Sequence, residues 1–121
     1  IAFASPYVPS LNDRAIAYLT AEGITTVSRA DVEGRLGNAG QGALTPEDVF
    51  ALGLRANTPE AQAVVLSCTD MRAVEIIARL EDAIDKPVIT SNQALMFQAL
   101  QTLKITDALP GYGRLFERLS T

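Results

Sequence analysis

Four short runs of apolar and β-branched residues, each followed by a helical pattern, constrain the fold of this chain more than any other feature. The runs lie at residues 1–4, 24–28, 63–66 and 87–90. Continuous runs of this length are typical of parallel strands that are covered on both faces. Because strands and helices alternate, the pattern indicates a parallel sheet with right-handed crossovers. We therefore predict the α/β fold class, with a four-stranded parallel sheet flanked by helices.

The segments between these runs carry signals for the ends of helices. Ser10 is a suitable N-cap, and Gly23 is a suitable stop for the helix that Ser10 would begin. Further helices are predicted after Thr45 to about Ala56, from about Val74 to Leu80, after Ser91 or Asn92 to about Leu103, and from about Leu109 to Leu119. The stretch from Gly34 to Gly42 contains four glycines and is predicted to be a long loop, a kind of segment that is often functional.

Size and charge limit the classes of partner. With 121 residues, of which 48% are hydrophobic, the chain is predicted to fold as one compact domain. A net charge of −4 and scattered basic residues argue against a nucleic acid or an anionic membrane, because phosphate binding requires clustered Lys and Arg. The chain has one Cys and no His, so we expect neither an intrachain disulfide nor a metal site.

The sequence also carries expectations about location and completeness. No run approaches the ~20 apolar residues that span a bilayer, and we recognise no secretory pattern at the start, so we expect a cytoplasmic protein. The chain begins inside a strand-like run and without Met. We therefore expect it to be part of a longer protein.

Polar side chains follow three of the four predicted strands. The loops read Ser5-Pro6-Tyr7, Ser67-Cys68-Thr69 and Thr90-Ser91-Asn92-Gln93. In an open parallel sheet, ligands bind outside the carboxyl ends of the strands, where such loops converge. The three loops therefore predict one polar pocket for a small carboxylate. Its candidate residues are Pro6, Tyr7, Ser67, Cys68, Thr69, Ser91 and Asn92.

Several of these residues also have a plain structural interpretation. A lone Cys is often a small buried hydrophobic residue, whereas Cys68 directly before a helix would lie near unpaired N–H groups that favour a reactive thiolate. Tyr7 has two open roles, as a hydrogen-bond donor to a carboxylate or as a ring packed on the core. Asn92 is a candidate helix cap, and Asn38 in the glycine-rich stretch is a candidate turn residue.

Longer segments around these loops resemble a known family. They read Val65-Leu66-Ser67-Cys68-Thr69-Asp70-Met71-Arg72 and Lys86-Pro87-Val88-Ile89-Thr90-Ser91-Asn92-Gln93-Ala94, with Ser5-Pro6-Tyr7 at the start. Together they are similar to the second half of the maleate cis-trans isomerases, and especially of the ectoine-utilisation A proteins, within the aspartate/glutamate racemase superfamily. The similarity covers essentially the whole chain.

The resemblance implies a flavodoxin-like lobe, with residues 1–121 as the carboxy-terminal half of a pseudo-symmetric two-lobe enzyme. It implies one catalytic cysteine from each lobe, with Cys68 as the second. Tyr7 and Asn38 match family residues that hold a substrate carboxylate. The resemblance implies no cofactor. The expected partners are a small carboxylate substrate, the first lobe of the same protein, and further copies in a homo-oligomer.

The implied activity is isomerisation or racemisation of a small dicarboxylate or amino acid, in an ectoine-degradation setting. Because the first cysteine would lie outside this chain, we expect the chain alone to be inactive. An arylmalonate-type decarboxylase and a non-catalytic ligand-binding lobe are the alternatives left open. A flavodoxin-like signalling domain is disfavoured, because such receivers need clustered acidic residues at the strand ends.

Overall fold

The structure, a computed structural model, describes residues 1–32 and 37–120. The strands within these residues are β1 (Ala2–Ser5), β2 (Ser28–Asp31), β3 (Val64–Leu66) and β4 (Val88–Thr90). The helices are α1 (Pro9–Ala21), α2 (Asn38–Ala43), α3 (Pro46–Ala56), α4 (Ile77–Ile84), α5 (Ser91–Thr102) and α6 (Arg114–Glu117), followed by a 3-10 turn at Arg118–Ser120. Among the described residues, we find no helix with both the length and the apolar character needed to cross a membrane.

The strands form one parallel sheet in the order β2-β1-β3-β4. β1 pairs with β2 and β3, and β3 pairs with β4. The predicted four-stranded parallel sheet is therefore confirmed. From β1 the chain moves outward to β2 and then returns past β1 to β3, so the direction of winding reverses between β1 and β3. This is a flavodoxin-like arrangement, in which ligands bind at the reversal.

One face of the sheet carries the main hydrophobic core. Successive strand residues point to opposite faces, and one set packs against α3 and α4. The buried residues of this core include Ala2, Ala4, Val64, Leu66 and Val88 from the strands and Val49, Leu52, Ile77 and Leu80 from the helices. α3 approaches α4 closely at Gly53, where a Cβ atom would clash with Cδ2 of Leu80. This core fixes the sheet whose edge holds the polar loops.

The opposite face carries an apolar groove of about 560 Å³ between α1 and α5. Val65 and Ile89 line this groove and are only half-buried, although they belong to the inner strand β3 and its neighbour β4. Tyr18 on α1 also lines it and is 67% exposed, while Leu95 on α5 is 69% exposed. Parallel sheets are normally covered on both faces, so this face is suited to further packing.

The second strand lies later in the chain than predicted. The run at 24–28 was expected to form it, but β2 covers Ser28–Asp31. The intervening residues first end α1: Gly23 has a φ of 85°, and the N–H of Ile24 donates to the carbonyl of Leu19 at 2.9 Å. This C-terminal turn confirms Gly23 as the helix stop. The N–H of Val27 donates to the carbonyl of Ile1 at 2.8 Å, and the pairing of β2 with β1 begins at Ser28.

The boundaries of other predicted helices also differ. α1 begins at Pro9, with Val8 as N-cap, so Ser10 lies inside the helix; Pro is favoured at the first helical position. At the other end of the chain, the predicted helix from Leu109 is reduced to α6 and the 3-10 turn. The glycine-rich stretch, predicted as a loop, contains α2 after Gly37, whereas residues 34–36 lie outside the described residues.

Candidate active site

The polar loops lie where the winding of the sheet reverses. Ser5-Pro6-Tyr7 follows β1 and Ser67-Cys68-Thr69 follows β3, which are the two strands on either side of the reversal. Thr90 ends β4, the next strand along the sheet, and Ser91 and Asn92 begin α5. Since the carboxyl ends of parallel strands share one edge, the structure brings the three predicted loops to the same edge.

Cys68 occupies this edge in an unusual backbone conformation. Its φ is 153°, a value that residues with a Cβ atom rarely adopt, and its side chain is 5% exposed. The backbone N–H donates to Oγ of Ser91 at 3.2 Å, and Sγ donates to Oε1 of Gln41 at 3.3 Å. Strain of this kind costs about 1–3 kcal/mol and persists where the surroundings hold the residue in place. Cys68 is therefore held at its backbone N–H by Ser91 and at its thiol by Gln41.

The helix expected directly after Cys68 begins later. Residues 69–76 form an irregular loop with turns at 69–70 and 74–76, and α4 starts only at Ile77. In this loop the N–H of Met71 donates to the carbonyl of Cys68 at 3.4 Å. The prediction that the thiol lies at the N-terminus of the following helix is therefore wrong. The thiol instead contacts the Gln41 carboxamide and the Tyr7 phenol, while the Ser91 hydroxyl accepts from the backbone N–H of Cys68.

Tyr7 is held by a buried polar cluster that sequence reasoning missed. Its backbone N–H donates to Oγ of Ser5 at 3.1 Å, and its carbonyl accepts from Nδ2 of Asn12 at 3.2 Å. The hydroxyl of Ser5 in turn donates to Oδ1 of Asn12. Ser5 and Asn12 are 0% and 1% exposed, and Pro6 between Ser5 and Tyr7 is also fully buried. Hydrogen bonds with Ser5 and Asn12 therefore fix the backbone of Tyr7 and so the position of its ring.

The Tyr7 side chain contacts the loop after β3, which contains Ser67 and Cys68. Burial raises the pKa of its phenol above the ordinary value of 10.0, and the neighbouring Cys68 and Asp70 act in the same direction. The hydrogen bond with Ser67 lowers that pKa, but burial is the larger effect. The phenol therefore keeps its proton at neutral pH and is able to donate a hydrogen bond to a carboxylate. Both roles left open for Tyr7 fit its half-buried position.

The start of α5 closes the other side of the site. Thr90, and neither Ser91 nor Asn92, is the N-cap: its hydroxyl accepts from the N–H of Gln93 at 3.1 Å, and Oε1 of Gln93 accepts from the N–H of Thr90 at 2.9 Å. This capping box leaves Ser91 to accept from Cys68. It leaves Asn92 to donate to the carbonyl of Thr69 at 3.0 Å. Both side chains thereby join α5 to the loop after β3.

The glycine-rich segment contributes a different residue from the one predicted. Asn38 is exposed at the start of α2, and the described contact with the thiol comes from Gln41, one turn later. Gln41 is 8% exposed. A polar side chain between two glycines, Gly40 and Gly42, was the available signal for such a contact. The substrate-binding roles of Asn38, Pro6 and Thr69 stay predictions.

A cavity of about 350 Å³ opens beside Cys68. Its lining is mainly apolar, with Arg72, Glu75 and Asn92 among its polar residues. The apolar residues include Met71, Val74, Ile77, Met96 and Phe116. Arg72 forms an exposed ion pair with Glu75 at 3.5 Å. Within the part of the chain that the structure describes, no group of three acidic, Cys or His side chains is arranged to hold a metal ion.

The fold and the site together define a flavodoxin-like α/β lobe that carries a cysteine at the sheet edge where folds of this kind bind ligands. The chain belongs to the arylmalonate decarboxylase family, whose model matches residues 1–116. This finding and the relatives described next confirm the resemblance to the maleate isomerases that the sequence motifs indicated.

Curated and solved relatives agree with this assignment. The chain is 29% identical to the maleate isomerase of Nocardia farcinica, over 98% of this chain and 47% of the relative. It is 28% identical to the arylmalonate decarboxylase of Bordetella bronchiseptica, over 97% of this chain and 50% of the relative. A Cys-to-Ser mutant of the Nocardia farcinica maleate cis-trans isomerase, solved with a covalently bound succinylcysteine intermediate, superposes with a TM-score of 0.88 at 28% identity, over 95% of this chain and 47% of that chain. The chain thus spans about half the length of the curated relatives it matches.

Proposed function

We propose that this chain supplies one half of the active site of a cofactor-independent isomerase that acts on a small dicarboxylate such as maleate. Cys68 is one of its two catalytic cysteines, and the other belongs to a first lobe of the same protein. The observation that carries the proposal is the position of Cys68 and the Tyr7 hydroxyl together at the reversal point of the sheet. A thiol and a carboxylate-binding donor at one sheet edge are suited to this substrate class.

The relatives support the use of two cysteines. The Nocardia farcinica enzyme carries a succinyl group on a cysteine while another of its cysteines is replaced by Ser. That enzyme therefore forms a carbon–sulfur bond with its substrate and has a second cysteine that is distinct from the one modified. By its similarity to the maleate isomerases, Cys68 takes the part of the second thiol.

The chemistry assigns a separate task to each group. The thiolate of the first cysteine adds to the double bond of maleate, and the electron pair of that bond moves toward the adjacent carboxylate, giving an enediolate. Rotation about the resulting single bond and expulsion of the same thiolate then yield the trans isomer. Before that expulsion, Cys68 gives its proton to the enediolate carbon, which forms a succinyl thioether, and the Cys68 thiolate then removes a proton from that carbon to restore the enediolate. Tyr7 donates a hydrogen bond to a substrate carboxylate. None of these steps calls for a cofactor.

The apolar groove is a suitable surface for the first lobe to pack against. The sheet face at Val65 and Ile89 is half-buried, and residues on α1 and α5 beside it remain exposed. Residues 1–121 thus act as the second lobe, and the other half of a protein as long as the relatives would bring a surface to cover this face. Assembly into a homo-oligomer, a cytoplasmic location and a setting in ectoine degradation belong to the same proposal.

A decarboxylase of arylmalonates is the second candidate. The apolar lining of the cavity beside Cys68 favours it, since an aryl group would be buried there more readily than a second carboxylate. In that reaction the substrate loses carbon dioxide, its electron pair remains on the enediolate, and the Cys68 thiol returns a proton to the carbon. A racemase would use the two thiols as alternating acid and base on either side of one carbon.

The test compares the full-length protein with its Cys68→Ser variant, with the exposed Ser10→Ala as matched control. We expect the wild type and the control to convert maleate to fumarate, and the Cys68→Ser variant to lose at least about 100-fold in kcat, the scale of one lost acid–base group. Release of carbon dioxide from phenylmalonate, without fumarate formation, would instead favour the decarboxylase. A Cys68→Ser variant that keeps the wild-type rate on both substrates would overturn the assignment of Cys68.

A further inference from the structure

We infer that Gln41 is a positioning residue that orients the thiol of Cys68 by accepting its S–H hydrogen bond. This inference rests on the proposed function, because it assigns a task to a neighbour of the catalytic thiol. The sulfur of Cys68 lies 3.3 Å from Oε1 of Gln41, within the range of a sulfur-donated hydrogen bond. Gln41 and Cys68 are 8% and 5% exposed, so the contact is shielded from water.

In the contact between Cys68 and Gln41, the thiol is the donor and the carboxamide oxygen is the acceptor. The carboxamide oxygen is an acceptor only, so this hydrogen bond exists when the sulfur carries its proton. The bond therefore limits rotation of the Cys68 side chain and holds its sulfur in place, and the proton turns from Gln41 toward the substrate by rotation about the Cβ–Sγ bond. A proton donor that is already oriented loses less entropy when it reaches the reacting carbon.

The surrounding backbone explains why Gln41 lies at this distance. The N–H of Gln41 donates to the carbonyl of Gly37 at 3.0 Å, which closes the first turn of α2. A Cβ atom at Gly42 would lie 3.7 Å from the carbonyl oxygen of Asp70, so α2 packs directly on the loop that carries Cys68. Ser91 accepts the backbone N–H of Cys68. α2 and α5 thus fix the two ends of the same residue.

In the proposed reactions this arrangement defines which proton moves. The S–H proton passes from Cys68 to the carbon of the enediolate, whose electron pair forms the new C–H bond, and the sulfur is left as a thiolate. In the isomerisation this thiolate takes a proton back from the same carbon before the first thiolate is expelled, whereas in the decarboxylation the proton stays on the carbon. Gln41 does not touch the substrate in this step. Its contribution is to hold the thiol that delivers the proton.

The inference is tested by infrared spectroscopy of the S–H stretch, which reports hydrogen bonding of a thiol directly. The spectra are taken on the full-length protein, and the band that disappears in Cys68→Ser belongs to Cys68, which is the single cysteine of residues 1–121. Gln41→Met keeps a side chain of similar size but removes the amide oxygen, and Gln41→Glu keeps an acceptor. The matched control is Gln98→Met, which changes an exposed glutamine on α5.

We expect the S–H band to move to higher frequency in Gln41→Met and to stay at or below the wild-type frequency in Gln41→Glu and Gln98→Met. A band unchanged in Gln41→Met would overturn the inference, as would the absence of an S–H band from the folded wild type at neutral pH. If Gln41→Met fails to fold, a higher frequency in Gln41→Glu overturns it instead, since a carboxylate is the stronger acceptor.

Kinetics of the full-length protein separate this inference from the proposed function. With maleate as substrate, we expect Gln41→Met to lower kcat about 10-fold with little change in KM, since orientation and not substrate binding is lost. A shifted S–H band in a protein that is inactive on maleate and phenylmalonate would refute the proposed function and leave the Gln41 contact intact. If the protein is active and Gln41→Met changes neither the S–H band nor kcat, the role of Gln41 is refuted and the proposed function stands.

Discussion

The backbone N–H of Cys68 donates a hydrogen bond to Oγ of Ser91 over 3.2 Å, which joins the loop after β3 to the first turn of α5. We expect Ser91→Ala to destabilise the chain by about 1–2 kcal/mol, because a partly buried N–H loses its acceptor. The free energy of unfolding from urea denaturation measures this effect. Ser10→Ala, an exposed change within α1, should alter it by less than about 0.5 kcal/mol. Equal effects of the two changes would contradict the importance of this bond.

The strained backbone of Cys68 predicts that Gly at this position gives a more stable chain than Ala, the opposite of the order found in a helix. At a φ of 153°, Gly is unstrained whereas Ala is not, so Cys68→Gly should be more stable than Cys68→Ala by about 1 kcal/mol. In an ordinary helix the order is the reverse. Ala99→Gly on the exposed side of α5 provides that comparison and should cost about 1 kcal/mol. Thermal or urea unfolding decides between the two orders, and a Cys68→Gly variant less stable than Cys68→Ala would exclude backbone strain at this position.

Asn12 is predicted to be critical for the position of Tyr7. The Asn12→Ala change leaves the Tyr7 carbonyl without its described side-chain donor and the Ser5 hydroxyl without its acceptor. We expect a loss of about 2–4 kcal/mol in the free energy of unfolding, because both groups are left in a buried or partly buried setting. Asn92→Ala removes one exposed hydrogen bond and serves as the control, with an expected loss of about 1 kcal/mol. A smaller loss for Asn12→Ala than for Asn92→Ala would argue against the cluster.

The raised pKa of Tyr7 predicts how stability depends on pH. Because the folded chain holds the phenolic proton more tightly than the unfolded chain, the unfolded chain loses it first as the pH rises past 10.0. The contribution of Tyr7 is therefore complete below that value and falls as the pH approaches the higher pKa of the folded state. Urea midpoints measured from about pH 8 to about pH 11 should decline less steeply in Tyr7→Phe than in the wild type. Parallel declines would show that the phenol titrates alike in both states.

The sequence by itself determined the sheet and the loops that carry the candidate site. Apolar runs at 63–66 and 87–90 became β3 and β4, with Val64, Leu66 and Val88 buried in the core and Val65 and Ile89 on the half-buried opposite face. Thr45 capped α3 as predicted, since its hydroxyl accepts from the N–H of Asp48 within the same turn. The placement of Tyr7, Cys68 and Ser91 at one sheet edge followed from strand ends alone.

Only the tertiary structure decided the partners of those residues. The contact between Gln41 and Cys68 joins positions 27 apart in the sequence, and the bond from Cys68 to Ser91 joins positions 23 apart. The second strand moved to Ser28–Asp31 because the pairing with β1 and the end of α1, and not local β-propensity, set its register. Secondary-structure propensity depends on a few neighbouring residues, whereas hydrogen bonds and packing between distant loops depend on the whole fold. The hydrogen bond between Cys68 and Gln41 and the buried polar cluster that holds Tyr7 are contacts across loops, so they depend on the whole fold.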